Sequence, residues 1–173
     1  MPKLNMEEVA QRLDQSNISL SIGDGTRDDF PLVYVNPAFC TVTGYDNDQM
    51  IGRNCRFLQS DLDNDVPRAV IRDALKKGTA AQAVFLNRRL DGTTFSNLLI
   101  IEPLHDREGN IAYVVGAQFT LKADTRAEAA EAHGNQIVRE IDKLLDLNER
   151  LRATSRQALA RSMAAAVRLW MEN

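Results

Sequence analysis

The run Gly52-Arg53-Asn54-Cys55-Arg56-Phe57-Leu58-Gln59 places three kinds of chemistry in three consecutive residues. Asn54 carries an amide that donates and accepts, Cys55 a thiol, and Arg56 a planar guanidinium fork. A ligand with a polar ring edge, an electrophilic centre and a phosphate would use all three. Taken by itself, a free cysteine is more often a small buried hydrophobe than a nucleophile. Arg53 and Arg56 flank the pair, and positive neighbours favour thiolate. Three more amides, Asn87, Asn97 and Gln118, stand inside otherwise apolar runs. A single strand asparagine usually faces solvent, but converging amides suit a ring edge that alternates donors and acceptors. Arg56 and Arg72 are the candidate phosphate ligands, because a guanidinium fork matches phosphate oxygens. The plain alternative for each is a solvated charge or, for Arg72, a local pair with Asp73.

Other candidates carry less. Asp61-x-Asp63-x-Asp65 opens like a calcium loop, but Val66 and Arg72 stand where glycine and a bidentate glutamate are needed. It reads as a solvated loop in which Asn64 or Asp65 caps a helix. Cys40, after Phe39, reads as a packed thiol, and His105 as an exposed residue near a turn. With two histidines and no Cys-x-x-Cys, no metal site is expected.

These residues must be positioned by elements legible in the pattern. Asn5 caps a short helix to about Leu13. Ile18–Ile22 alternates and ends at Gly23-Asp24-Gly25, a strand into a turn. Leu32–Val35 is a second strand, and Asn36-Pro37 begins a helix with proline in its first turn. A short helix follows to Met50. Pro67 sits early in a longer helix through Lys77, ended by Gly78. Three strands follow, Ala81–Leu90, Thr94–Leu104 and Ile111–Leu121, with Asp91-Gly92 as the first turn. The order predicts an α+β domain with one sheet and helices on one side. After Lys122 the composition turns helical, with capping boxes at Thr125–Glu128 and Thr154–Gln157. Ile137, Ile141, Leu144, Leu145 and Leu151 form one apolar stripe. Leu159, Met163, Val167, Trp170 and Met171 form another.

The chain has 173 residues, 44% hydrophobic and 26% charged, with a net charge of −3. This fits one domain with extensions. The charge gives no general attraction to nucleic acid or anionic lipid. No apolar run approaches the ~20 residues of a membrane span. The beginning lacks an apolar signal-peptide core. Two cysteines do not make a disulfide framework, so a cytoplasmic protein with free thiols is expected.

The signature resembles that of the LOV family, the flavin-binding blue-light sensors of the PAS superfamily. The resemblance runs from about Ile18 to Leu121. It includes Asn36-Pro37-Ala38-Phe39, Thr43-Gly44-Tyr45, Ile71-Arg72-Asp73, Asn87, Gly92, Phe95-Ser96-Asn97, Gly116 and Gln118. It departs at Ser60, where glycine is common, and after the last strand at Phe119–Asp124.

The resemblance implies a PAS/LOV fold with a five-stranded antiparallel sheet. A helical cap over 1–16 would precede a photosensor domain over 17–122, and a C-terminal helical extension over 123–173 would serve coupling and dimerisation. It implies that Cys55 forms a reversible cysteinyl adduct at the flavin C4a carbon under blue light. Asn87 and Asn97 would hold the pyrimidine edge. Asn54 and Gln59 would contact the ribityl chain and ring, and Arg56 and Arg72 the phosphate. Gln118 would face N5 and relay its change along the last strand. The short Gln59–Arg72 connection favours FMN, with FAD or riboflavin as other occupants. The terminal helices are expected to form a homodimer, with Trp170 as an anchor, and to signal to a separate partner; packing onto the chain's own sheet is the alternative. No enzymatic activity and no covalent effector are expected. Two other readings are a flavin redox sensor without photochemistry and a light-regulated DNA-binding protein using the C-terminal helices. Cys55 argues against the first, and Asp142, Asp146, Glu140 and Glu149 offset the arginines of the second.

Overall fold

Asn5 accepts a hydrogen bond from the Glu7 amide at 3.1 Å and starts helix α1, Met6–Leu13, which buries Val9 and Leu13. The structure is a computed structural model that describes residues 4–121 and 157–169. The first capping box and the Ile137–Leu151 stripe lie outside the described residues, as do Trp170 and Met171.

Strands β1 (Ser19–Asp24), β2 (Leu32–Val35), β3 (Ala81–Arg88), β4 (Thr94–His105) and β5 (Ile111–Leu121) form one sheet in the order β2-β1-β5-β4-β3. All neighbours are antiparallel. The first and last strands therefore lie side by side, with Ser19 opposite Gln118 and Ser21 opposite Gly116. Because side chains alternate along a strand, each strand sends one set to each face.

Leu20 and Ile22 of β1, Leu98 and Ile100 of β4, and Val115 and Ala117 of β5 point to the outer face. There they pack with Leu4, Val9 and Leu13 of the N-terminal segment. They also meet a helix over 157–169, here α5, which buries Ala160, Ala164 and Val167. The expected apolar stripe of that helix is shifted. Leu159 is 44% exposed, whereas Ala160 and Ala164 are buried. Two alanines one turn apart let the helix backbone approach the sheet closely, so the docking face follows the small residues.

The inner face is covered by helices α2 (Pro37–Thr43), α3 (Asn47–Met50), a 3-10 helix (Cys55–Gln59) and α4 (Asp65–Lys77). Asn36 caps α2, Asn54 caps the 3-10 helix, and Gly78 ends α4 in the left-handed region. Asn64 precedes α4, but its side chain makes no cap hydrogen bond. Its amide instead clips the edge strand β3: Oδ1 accepts from Leu86 N and Nδ2 donates to Leu86 O, both at 2.9 Å.

The β3–β4 turn is longer than a two-residue hairpin. β3 ends at Arg88, Arg89 N donates to Thr93 O at 2.8 Å, and Gly92 has φ of 87°. Asp91 accepts from Thr93 N and Oγ1, fixing a three-residue loop that ends in a left-handed glycine.

Candidate functional site

The inner face of the sheet, α4 and the 3-10 helix enclose a cavity of about 520 Å³. Asn54, Cys55, Arg56, Gln59 and Arg72 all line it, so five of the eight residues selected from sequence meet at one place. Their convergence follows from two short elements. The 3-10 helix presents Cys55, Arg56 and Gln59 from one wall, and α4 presents Arg72 from another.

The remaining three, Asn87, Asn97 and Gln118, are buried on the inner face but do not line the cavity. Their neighbours do: Phe85 is the cross-strand partner of Asn97, and Leu99 that of Gln118. Asn87 and Asn97 are offset by two residues across β3 and β4, a diagonal of about 7 Å. Asn87 Oδ1 and Asn97 Oδ1 are each buried without a hydrogen-bond partner in the protein. A buried acceptor left unpaired is costly. Two such amides on one sheet face, each with an oxygen to accept and an NH2 to donate, fit a ring edge that alternates acceptors and a donor, as a flavin edge does.

Gln118 is held by β1. Its Nε2 donates to Ser21 Oγ at 2.9 Å, and its Oε1 accepts from Ser19 Oγ at 3.4 Å. Gly116 leaves room for this arrangement, since a Cβ there would lie 2.7 Å from Ser21 Oγ and 2.9 Å from Gln118 Nε2.

Burial pushes the Cys55 thiol up, and the Arg56 guanidinium pulls it down by less. The flanking charge thus acts in the expected direction but is outweighed by desolvation, so the group at neutral pH is a thiol. Arg56 is paired with Asp29, whose backbone carbonyl accepts from Asn54 Nδ2. Asn54 Oδ1 also accepts from Arg56 N at 2.9 Å, so Asn54 ties the start of the 3-10 helix to the β1–β2 loop.

Sequence reasoning missed Asp29, Arg68, Lys76 and Ser21, which also line the cavity. Arg68 is the one with a legible signal, because it precedes Arg72 by one helical turn. Asp29 has none. It and Phe30 take positive φ without being glycine, so nothing in their types announces the loop. His105 is exposed, and its Nε2 stands 2.7 Å from where a Cβ on Gly78 would be. Among the described residues, no group of three or more His, Cys, Asp or Glu is placed to hold a metal. None of their helices is long and apolar enough to cross a membrane.

A family model described as a PAS domain matches residues 19–119. The chain is 36% identical to a blue-light photoreceptor of Listeria monocytogenes, over 64% of this chain and 43% of that one. It is 33% identical to a blue-light-activated histidine kinase of Rhizobium johnstonii, over 79% of this chain and 39% of that one. It thus spans well under half the length of these curated relatives. Among solved structures, a LOV protein from Rhodobacter sphaeroides is 36% identical, with a TM-score of 0.68, over 100% of this chain and 99% of that one. The LOV domain of a blue-light-activated histidine kinase from Erythrobacter litoralis is 36% identical, with a TM-score of 0.59, over 62% of this chain and 98% of that one.

Proposed function

This chain belongs to the LOV family of PAS domains, and from that premise we propose that it is a flavin-based blue-light sensor with Cys55 as its reactive residue. A LOV domain is not itself catalytic, and the output is a change of packing. The observation that carries the reading is the gathering of the Cys55 thiol with Asn54, Arg56, Gln59 and Arg72 around one cavity. When bound, a flavin would supply blue-light absorption and an electrophilic C4a=N5 bond, and Cys55 would supply the S–H to add across it, its sulphur for the carbon and its proton for the nitrogen.

The residues of the chain divide the work of holding it. Asn87 and Asn97 bring two buried amides whose oxygens lack a partner in the protein; an oxygen would accept from the one ring N–H of the pyrimidine edge, and the NH2 groups would donate to its carbonyls. Asn54 and Gln59 serve the ribityl chain and ring. Arg56 and Arg72 serve the phosphate, with Asp29 holding the Arg56 fork in place. The neutral state of Cys55 matters here, because the proton that moves with the sulphur is its own. FMN is the preferred occupant, since the connection from Gln59 to Arg72 is short.

Gln118 reads the change at N5. An amide presents oxygen or nitrogen by rotating, so a nitrogen that turns from acceptor to donor is answered by a flip. That flip reverses the donor and acceptor roles at Ser19 and Ser21, and the rearranged bonds alter how β1 is held against β5. The helices on the outer face then shift in population, towards or away from a homodimer that signals to a separate cytoplasmic partner. The test is the chromophore itself. Denaturing the purified protein and separating the supernatant should release a flavin, with FMN as the major species. A colourless protein would reject the reading.

A further inference from the structure

Arg68 stands on α4 one turn before Arg72, and both line the cavity. Its Nε donates to Oε1 of Gln59 at 2.6 Å. Gln59 is 6% exposed and lines the same cavity. We propose that Arg68 is a positioning residue that fixes the Gln59 amide with its oxygen towards α4, and so makes Gln59 a hydrogen-bond donor to the flavin. The inference rests on the flavin reading of the cavity and deepens it.

The chemistry allows only one orientation. A guanidinium carries five N–H donors and no acceptor, so only the amide oxygen of Gln59 satisfies it. Turning the amide over would set NH2 against N–H in a partly buried contact, leaving donors facing donors around the buried Gln59 amide. The contact is charge-assisted and short, which makes it one of the stronger kinds. NH2 is therefore the end that Gln59 presents to the occupant. It selects an acceptor there, such as a ring carbonyl, a ring nitrogen or a ribityl oxygen. Without Arg68 the same amide can turn either end towards the ligand, and part of its binding contribution goes to reorienting.

A third phosphate ligand beside Arg56 and Arg72 is the competing role for Arg68, and it predicts a different pattern of losses. A residue that works through Gln59 affects every flavin alike. A residue that grips phosphate affects only flavins that carry one.

The test uses the full chain, stripped of chromophore and titrated with riboflavin and with FMN while flavin fluorescence is followed. Arg68→Met should weaken both by the same factor, about tenfold, leaving the FMN-to-riboflavin ratio as in the unaltered protein. In a Gln59→Leu background, Arg68→Met should add no further loss. Arg68→Lys, which offers donors only, should keep most of the affinity. Gln59→Glu keeps an acceptor for Arg68 but has no N–H to give, and should weaken both flavins about as much as Arg68→Met. It carries the comparison even if Arg68→Met does not fold. A loss confined to FMN, unchanged affinity in Gln59→Glu, or losses that add in the double variant would each overturn the proposal. If the unaltered protein binds neither flavin, the reading of the cavity falls, and this inference with it.

Discussion

The Cys55 sulphur lies between two opposing influences, since loss of water raises its hold on the proton and the Arg56 guanidinium lowers it. Cys40 and Tyr34 are raised as well, each mainly by burial; Tyr34 also donates to Asp14 Oδ1 at 2.8 Å. All three groups bind their protons more tightly when folded. Stability from such groups is complete below their unfolded pKa values and is lost as pH rises. The loss should begin near about 8.5 for the thiols and about 10 for the tyrosine. Urea midpoints measured at pH 7, 9 and 10.5 should therefore fall in that order, and a constant midpoint would contradict these burials. The residues that sequence reading selects are those whose type is out of place in its run: a thiol between an amide and a guanidinium, and amides among apolar strand residues. The place of Arg68, one turn before Arg72, is legible, but its bond to Gln59 is not, because that depends on docking α4 against the 3-10 helix, nine positions away along the chain.

Among the elements, Asn36 shows how one side chain joins three of them. It is fully buried. Its Oδ1 accepts from Leu20 N at 2.8 Å and from Phe39 N at 3.1 Å. Its Nδ2 donates to Ile18 O at 2.8 Å, and to Ser16 O and Leu13 O at 3.3 and 3.4 Å. It thus caps α2, pins the start of β1 and satisfies the end of α1. Asn36→Ala should cost about 3 kcal/mol, combining a lost cap with buried backbone groups left unpaired. Chemical denaturation measures this, and a loss below about 1 kcal/mol would mean that water replaces the amide. The Asn-Pro start of α2 is plain in the sequence, because proline tolerates the first helical turn. The further bonds of Asn36 are not, since they need α1 and β1 already folded around it. The docking face of α5 is obscure for another reason. Alanine is a helix former wherever it stands, so Ala160 and Ala164 give no apolar periodicity to set against Leu159.

Across the whole molecule, the central strands β1 and β5 separate the cavity from the outer-face core. On the inner side are Ser21, Gly116 and Gln118; on the outer side Leu20, Val115 and Ala117 meet α1 and α5. A rearrangement at Gln118 has only one layer of backbone to cross before it reaches those helices. Tyr113 strengthens the connection, because its hydroxyl accepts from Leu4 N at 3.2 Å. Light should therefore change the elution volume of the protein in size-exclusion chromatography, and Gln118→Leu should suppress that change while leaving the flavin bound. An equal change in Gln118→Leu would take the relay away from this residue. Photochemistry at Cys55 is the centre of this mechanism, and a light-minus-dark absorption spectrum reads it without intermediate steps. Blue light should bleach a structured flavin band that returns in darkness, and in Cys55→Ala the band should be present and should not bleach through this route. A reversible thiol-type bleach that persists in Cys55→Ala, or a flavin band in the unaltered protein that blue light leaves intact, would contradict the account.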